Sequence, residues 1–126
     1  MRTSLLAFTL ILMACGSASW EPVPLTDGYQ LMVMNSKEVY VANAQNELLL
    51  GPRIQAIGMA PGIIVVDCGT EKVVVNGFEN TTGLNMIETK TGAIRKDIAQ
   101  ADLEREMANR NERKPELRPL ASYLVK

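Results

Sequence analysis

The chain has 126 residues, with 13 Lys and Arg against 14 Asp and Glu, and it contains no histidine. A net charge of −1 leaves no electrostatic footprint for nucleic acid. Without imidazole, Ser-His-Asp and Cys-His catalysis and every His-ligated metal site are excluded, and the length suits one small domain with little core to spare.

Arg2 and the amino terminus give a positive start, and residues 5–13 are apolar apart from Thr9. That run is about half the ~20 residues a spanning helix requires, which is the length of a secretory h-region. Leu12-Met13-Ala14-Cys15 then leads into Gly16-Ser17. This order resembles the lipobox of a bacterial lipoprotein signal peptide. The resemblance implies a signal peptide over 1–14 and acylation at Cys15, which becomes the first mature residue. One acyl chain binds a membrane only marginally, whereas several together hold it stably. No aspartate follows the cysteine in Gly16-Ser17, which by the same resemblance favours the outer membrane, facing the periplasm. A second reading is cleavage after Ser17-Ala18-Ser19, giving a soluble secreted or periplasmic product that begins at Trp20 and lacks Cys15.

Residues 15–27 read as a lipidated tether, in which Pro22 and Pro24 favour an extended, stiff segment. The Trp20 indole suits either the headgroup layer or the domain surface. A small β-rich domain is expected over 28–111. Strand candidates rich in Val, Ile, Leu and Tyr occupy 29–34, 38–43, 47–50, 53–58, 62–67, 72–75 and 84–89. Turn residues separate them, and Asn76-Gly77 is the strongest two-residue hairpin signal, because a type I′ turn needs positive φ twice. Thr89-Lys90-Thr91-Gly92 fits a longer hairpin closed by glycine. Connections this short forbid parallel crossovers. The expected fold is therefore α+β, mainly an antiparallel β meander with one C-terminal helix.

Alternation assigns the faces. Tyr29, Leu31 and Val33 oppose Gln30, Met32 and Met34; Val39 and Val41 oppose Glu38, Tyr40 and Ala42. Residues 62–66 have no polar interruption, which predicts a central strand covered on both faces. The cover is a helix over 97–109, with Ile94, Ile98, Leu103 and Met107 as its apolar stripe and Glu106 and Arg110 as an i,i+4 pair. Pro115 and Pro119 open a tail over 112–126, whose apolar end docks as an edge strand or short helix. Gly51-Pro52-Arg53-Ile54, Ile63-Ile64-Val65-Val66 and Met86-Ile87-Glu88-Thr89-Lys90-Thr91-Gly92 also resemble segments of small bacterial lipoproteins of uncharacterised function. That resemblance implies compact β-strands followed by a helix, and no activity.

No Gly-rich phosphate loop or Asp-rich calcium loop is present, so no cofactor, metal ligand or catalytic residue is expected. Cys68 has no imidazole base, and the like charge of Asp67 raises its pKa; it reads as a small buried hydrophobe. Glu38, Glu47, Asp67, Glu71 and Glu88 lie at strand ends or turns. They read as solvated hairpin charges, with a cross-sheet pair acting on a glycan as the alternative. Met32, Met34, Met59, Met86 and Met107 read as gap-fillers in a small core, with an interaction surface as the alternative. Asn80-Thr81-Thr82 reads as a polar loop. The function these features favour is an envelope lipoprotein, anchored to the membrane through its N-terminal lipid, that acts by binding a protein partner. An immunity protein is one concrete form. The alternatives are a small cell-wall hydrolase using paired carboxylates, or a small-ligand carrier.

Overall fold

The computed structural model describes residues 21–124. Residues 1–14, expected to form a signal peptide, and Cys15 and Trp20 lie outside the described residues. In chain order the elements are β1 (Val23–Pro24), β2 (Gln30–Asn35), β3 (Glu38–Ala42), β4 (Leu48–Leu50), β5 (Ala56–Ala60), β6 (Ile63–Asp67), β7 (Val74–Val75), β8 (Phe78–Glu79), β9 (Leu84–Glu88), β10 (Ile94–Arg95), α1 (Gln100–Asn109), β11 (Arg118–Pro119) and α2 (Ala121–Leu124). The fold is α+β and mostly antiparallel sheet, with one main helix near the C-terminus.

The strands form two sheets and a separate hairpin. The first sheet has the order β1-β2-β3-β4, the second β10-β9-β6-β5-β11, and β7 pairs with β8. Short hairpins explain the antiparallel β2–β3, β3–β4, β5–β6 and β9–β10 pairings, whereas β6–β9 and β5–β11 join segments farther apart in the chain. The chain changes sheets after Leu50, at Gly51. There φ is 133°, and an added Cβ would strike the Val39 carbonyl and the Tyr40 side chain, so this corner needs glycine.

Alternating side chains build the two cores. Leu31, Val33, Val39, Val41 and Leu50 of the first sheet meet Ile57, Ile64, Val66 and Ile87 of the second in one buried cluster. The opposite face of the second sheet supplies Ile63, Val65 and Met86, which pack with Ile98, Leu103 and Met107. The β6 strand lies at the centre of its five-stranded sheet, and Ile63 to Val66 are each at most 1% exposed. The helix covers the expected strand, and the layers run sheet, sheet, helix.

Three details differ from the sequence expectation. Ile94 belongs to β10 and packs in the inter-sheet core, not on the helix stripe. The helix starts at Gln100, because the Asp97 N–H donates to Asn85 Oδ1 at 2.9 Å and the Ile98 N–H donates to the Leu84 carbonyl at 2.7 Å. Those bonds bind 97–98 to the sheet and leave Ala99 as the entry to the helix. Finally, Tyr40 and Ala42 lie opposite Val39 and Val41 as the alternation requires, yet they too are buried. The β7–β8 hairpin supplies cover, its Phe78 ring set edge-on to Tyr40 with centroids 5.0 Å apart. Its Asn76 and Gly77 have φ of 52° and 82°, as a type I′ turn requires.

Both ends of the described chain join the cores. Val23 pairs with Leu31 and Pro24 with Gln30, so the extended segment expected over 15–27 enters the first sheet at Val23. After the helix, Arg118 pairs with Ile57 and Pro119 with Ala56. Leu120, Tyr123 and Leu124 then pack on the inter-sheet core, and the Tyr123 hydroxyl donates to the Ile57 carbonyl at 2.8 Å. The tail is both an edge strand and a short helix. It passes so close to β5 that a Cβ on Gly58 would sit 2.8 Å from the Glu116 carbonyl oxygen.

Candidate functional site

The sandwich has two ends, and antiparallel register sorts the side chains between them. One end carries the β2–β3 turn at 35–37 and the crossing at 51–55, where the Arg53 guanidinium donates to the Lys37 carbonyl. The other carries the loops at 26–28, 43–47, 60–62 and 89–92. Thr89 Oγ1 donates to Asp27 Oδ2 at 2.6 Å there, joining a loop of one sheet to a loop of the other.

The five candidate carboxylates divide between these ends, each with its own donors. Glu38 accepts from the Tyr40 hydroxyl at 2.8 Å and from the Asn35 and Asn76 amides. Burial, followed by this bond and the carboxylate charge, pushes the Tyr40 hydroxyl up to about 12. Asp67 Oδ1 accepts from the Gly69 N–H at 2.9 Å, and Glu71 pairs with Arg53 at 3.1 Å. At the other end Glu47 accepts from the Asn43 amide at 2.6 Å. Glu88 accepts from Arg110 at 2.7 Å and Thr91 at 2.9 Å. Those bonds, Arg110 first, hold the Glu88 carboxyl below its ordinary range. A general acid in glycoside hydrolysis needs the opposite shift. Among the described residues no two of the five share a donor.

Arg110 also binds Glu106 at 2.9 Å, the expected i,i+4 pair, and Glu106 continues to Arg95 at 3.2 Å. This chain of charges fastens the helix to the β9–β10 hairpin. Cys68 is fully buried. Desolvation and then the Asp67 charge push its thiol up to about 12, far from the thiolate range of a reactive cysteine. Met86 and Met107 fill the helix-facing core, whereas Met34 and Met59 are exposed.

Asn80 and Asn85 were hidden in the sequence. Asn80 Oδ1 accepts from the Arg53 N–H at 3.0 Å, and its amide donates to the carbonyls of Cys68 at 3.0 Å and Glu71 at 2.8 Å. Asn85 donates to Thr81 and Gly83 and accepts from Asp97. Each closes loops distant in the chain around a buried amide. A lone Asn in a polar loop gives no signal of this.

The loop end carries two open hollows. A hollow of about 480 Å³ is bordered by Asp27, Tyr29, Asn43, Gln45, Glu47 and Lys90. A second, of about 200 Å³, lies between Pro61, Glu88, Lys90 and Arg110. Lys90 borders both and forms no ion pair among the described residues. Side-chain bonds stiffen the walls: Asn43 Oδ1 accepts the N–H groups of Gln45 and Glu47, and the Gln30 amide donates to Asn46 at 2.6 Å. On the flank, Leu49, Phe78, Thr81, Thr82 and Lys96 line a hollow of about 490 Å³. Such surfaces hold amide, hydroxyl and charged groups ready for a polar partner.

Among the described residues no group of three or more His, Cys, Asp or Glu is placed to hold a metal ion. No described helix is long and apolar enough to cross a membrane. No protein-family model, curated protein or solved structure matches the chain.

Proposed function

We propose that this chain is a bacterial envelope lipoprotein, held by acyl chains on Cys15 at the outer membrane facing the periplasm, and that it acts by binding a protein partner. The observation that carries the reading is Leu12-Met13-Ala14-Cys15-Gly16 at the end of a short apolar run. The space between the sheets is filled by side chains such as Leu31, Val41, Ile57 and Ile64, each with no exposure. That filling favours a surface-binding role over carriage of a small ligand, which needs an enclosed pocket. The polar, open hollows of the loop end suit a protein surface, and an immunity protein is one form this takes.

Intact mass of the membrane-extracted protein tests the anchor: acyl mass on an N-terminal Cys15 is expected, and a chain starting at Trp20 refutes it. Affinity capture of the lipidated protein from native envelopes tests the binding role. A stoichiometric partner lost with Lys90→Glu is expected, and a partner that survives changes throughout the loop end would move the site elsewhere.

A further inference from the structure

We propose that the outer edge of β4 receives an extended segment of the partner protein, which adds to the first sheet as a further β-strand. This mode of recognition rests on the protein-binding role proposed above and specifies how the partner is held. A strand at a sheet edge leaves its outward N–H and C=O groups unpaired, and folded proteins guard such edges with proline, charge or a bulge. Among the described residues the two sheets end in four edge strands, β1, β4, β10 and β11. Proline stands in β1 at Pro24 and in β11 at Pro119, and arginine stands in β10 at Arg95 and in β11 at Arg118. By contrast, β4 is Leu48-Leu49-Leu50, with neither proline nor charge. Its one guard is the register shift against Val41 and Ala42 of β3. A bulge bends the strand and re-aims side chains, but it gives the outer edge no partner.

Space beside the strand matches this chemistry. Leu49 borders both the loop-end hollow of about 480 Å³ and the flank hollow of about 490 Å³. The two hollows therefore adjoin along β4. Leu49 is half-buried and packs on the inter-sheet core, so it offers a fixed apolar seat for a side chain of the incoming strand. Phe78 offers a second in the flank hollow. Main-chain bonds to a sheet edge supply affinity in this mode, and seats for alternate side chains supply specificity.

The recess also selects the occupant. Phe78, Thr81, Thr82 and Lys96 share the flank hollow with Leu49 and wall it in. A second copy of this chain would carry its own β4 behind the same wall, and two recessed edges cannot reach each other. A single extended chain can enter.

The test uses the full acylated chain in detergent micelles and, as the probe, short random peptides selected for binding to it. Selected peptides should alternate apolar residues and slow amide exchange over 48–50, as strand addition requires. N-methylation of every second residue should weaken the best peptide severalfold in one register and leave it unchanged in the other, because only alternate N–H groups face β4. No binding peptide, protection elsewhere, or equal effects in both registers overturns the added strand. Leu49→Lys places a charge on the edge and should abolish peptide binding, and unchanged binding in the folded variant overturns the site. If that variant does not fold, the N-methyl comparison decides alone. A dimer in sedimentation that the peptide dissociates gives the edge to a second copy and overturns the partner segment. Excess peptide should also release the partner captured from native envelopes. A partner that stays bound overturns the β4 site and leaves the protein-binding role standing, whereas envelopes that yield no partner overturn the role and the site together.

Discussion

Leu103→Ala tests the architecture most directly, because Leu103 is 1% exposed and packs in the cluster that joins the helix to β6 and β9. The change removes three carbons, worth about 2.4 kcal/mol at about 0.8 kcal/mol per buried methylene. Ile63, Val65, Met86 and Met107 surround the site, and two of them lie on a central, doubly covered strand that cannot collapse inward. A residual cavity therefore adds to the transfer cost, and the total falls in the range of about 2–5 kcal/mol. With a urea m-value of about 1–3 kcal/mol/M, the midpoint should drop by on the order of 1–2 M. Glu104, on the same helix, is exposed and bonds only Gln100 and Lys114, so Glu104→Ala should leave the midpoint where it is. Urea unfolding followed by circular dichroism reads both variants. Equal shifts, or no shift with Leu103→Ala, would show that the helix does not cover the sheet.

Two further predictions concern groups the core encloses. Cys68, raised from 9.0, and Tyr40, raised from 10.0, both reach about 12 in the folded state. The unfolded chain releases these protons first and binds fewer of them, so the contribution of these two groups should be constant well below pH 9 and stability should fall as pH rises from 9 toward 12. Cys68→Ala should flatten the early part of that fall in urea midpoints measured against pH, and an unchanged slope would contradict the burial argument. Asn80→Ala should cost about 1–3 kcal/mol, since it takes the partner from the buried Cys68 carbonyl and from part-buried backbone groups of Arg53 and Glu71. Asn80→Asp should rescue little, because a carboxylate keeps the acceptor for Arg53 N–H but faces the Cys68 and Glu71 carbonyls; wild-type stability in this variant would refute the latch.

Local chemistry made much of the fold legible in the sequence. Short turn-bounded apolar runs predicted nearly every strand of three or more residues, because period-two burial and turn residues leave marks within a few positions. The unbroken apolar 62–66 announced double cover, and Leu103 and Met107 announced what lay on one side. Asn76-Gly77 named its own turn.

Only the tertiary structure decided how those pieces stack. The meander splits into two sheets at Gly51, whose φ and crowding by Val39 and Tyr40 depend on the packed neighbours. The two-residue strands β1, β7, β8, β10 and β11 carry too few side chains to show a period, and β11 exists because β5, distant in the chain, is already in place. Ile94 reads as part of the helix stripe because its spacing from Ile98 is four, and the backbone bonds of Asp97 and Ile98 to Asn85 and Leu84 are what assign it to the sheet. Asn80 and Asn85 are decided in the same way. An amide side chain has no preferred partner in sequence, so whether it is a solvated loop residue or a buried latch depends on which carbonyls and N–H groups the folded chain brings within about 3 Å.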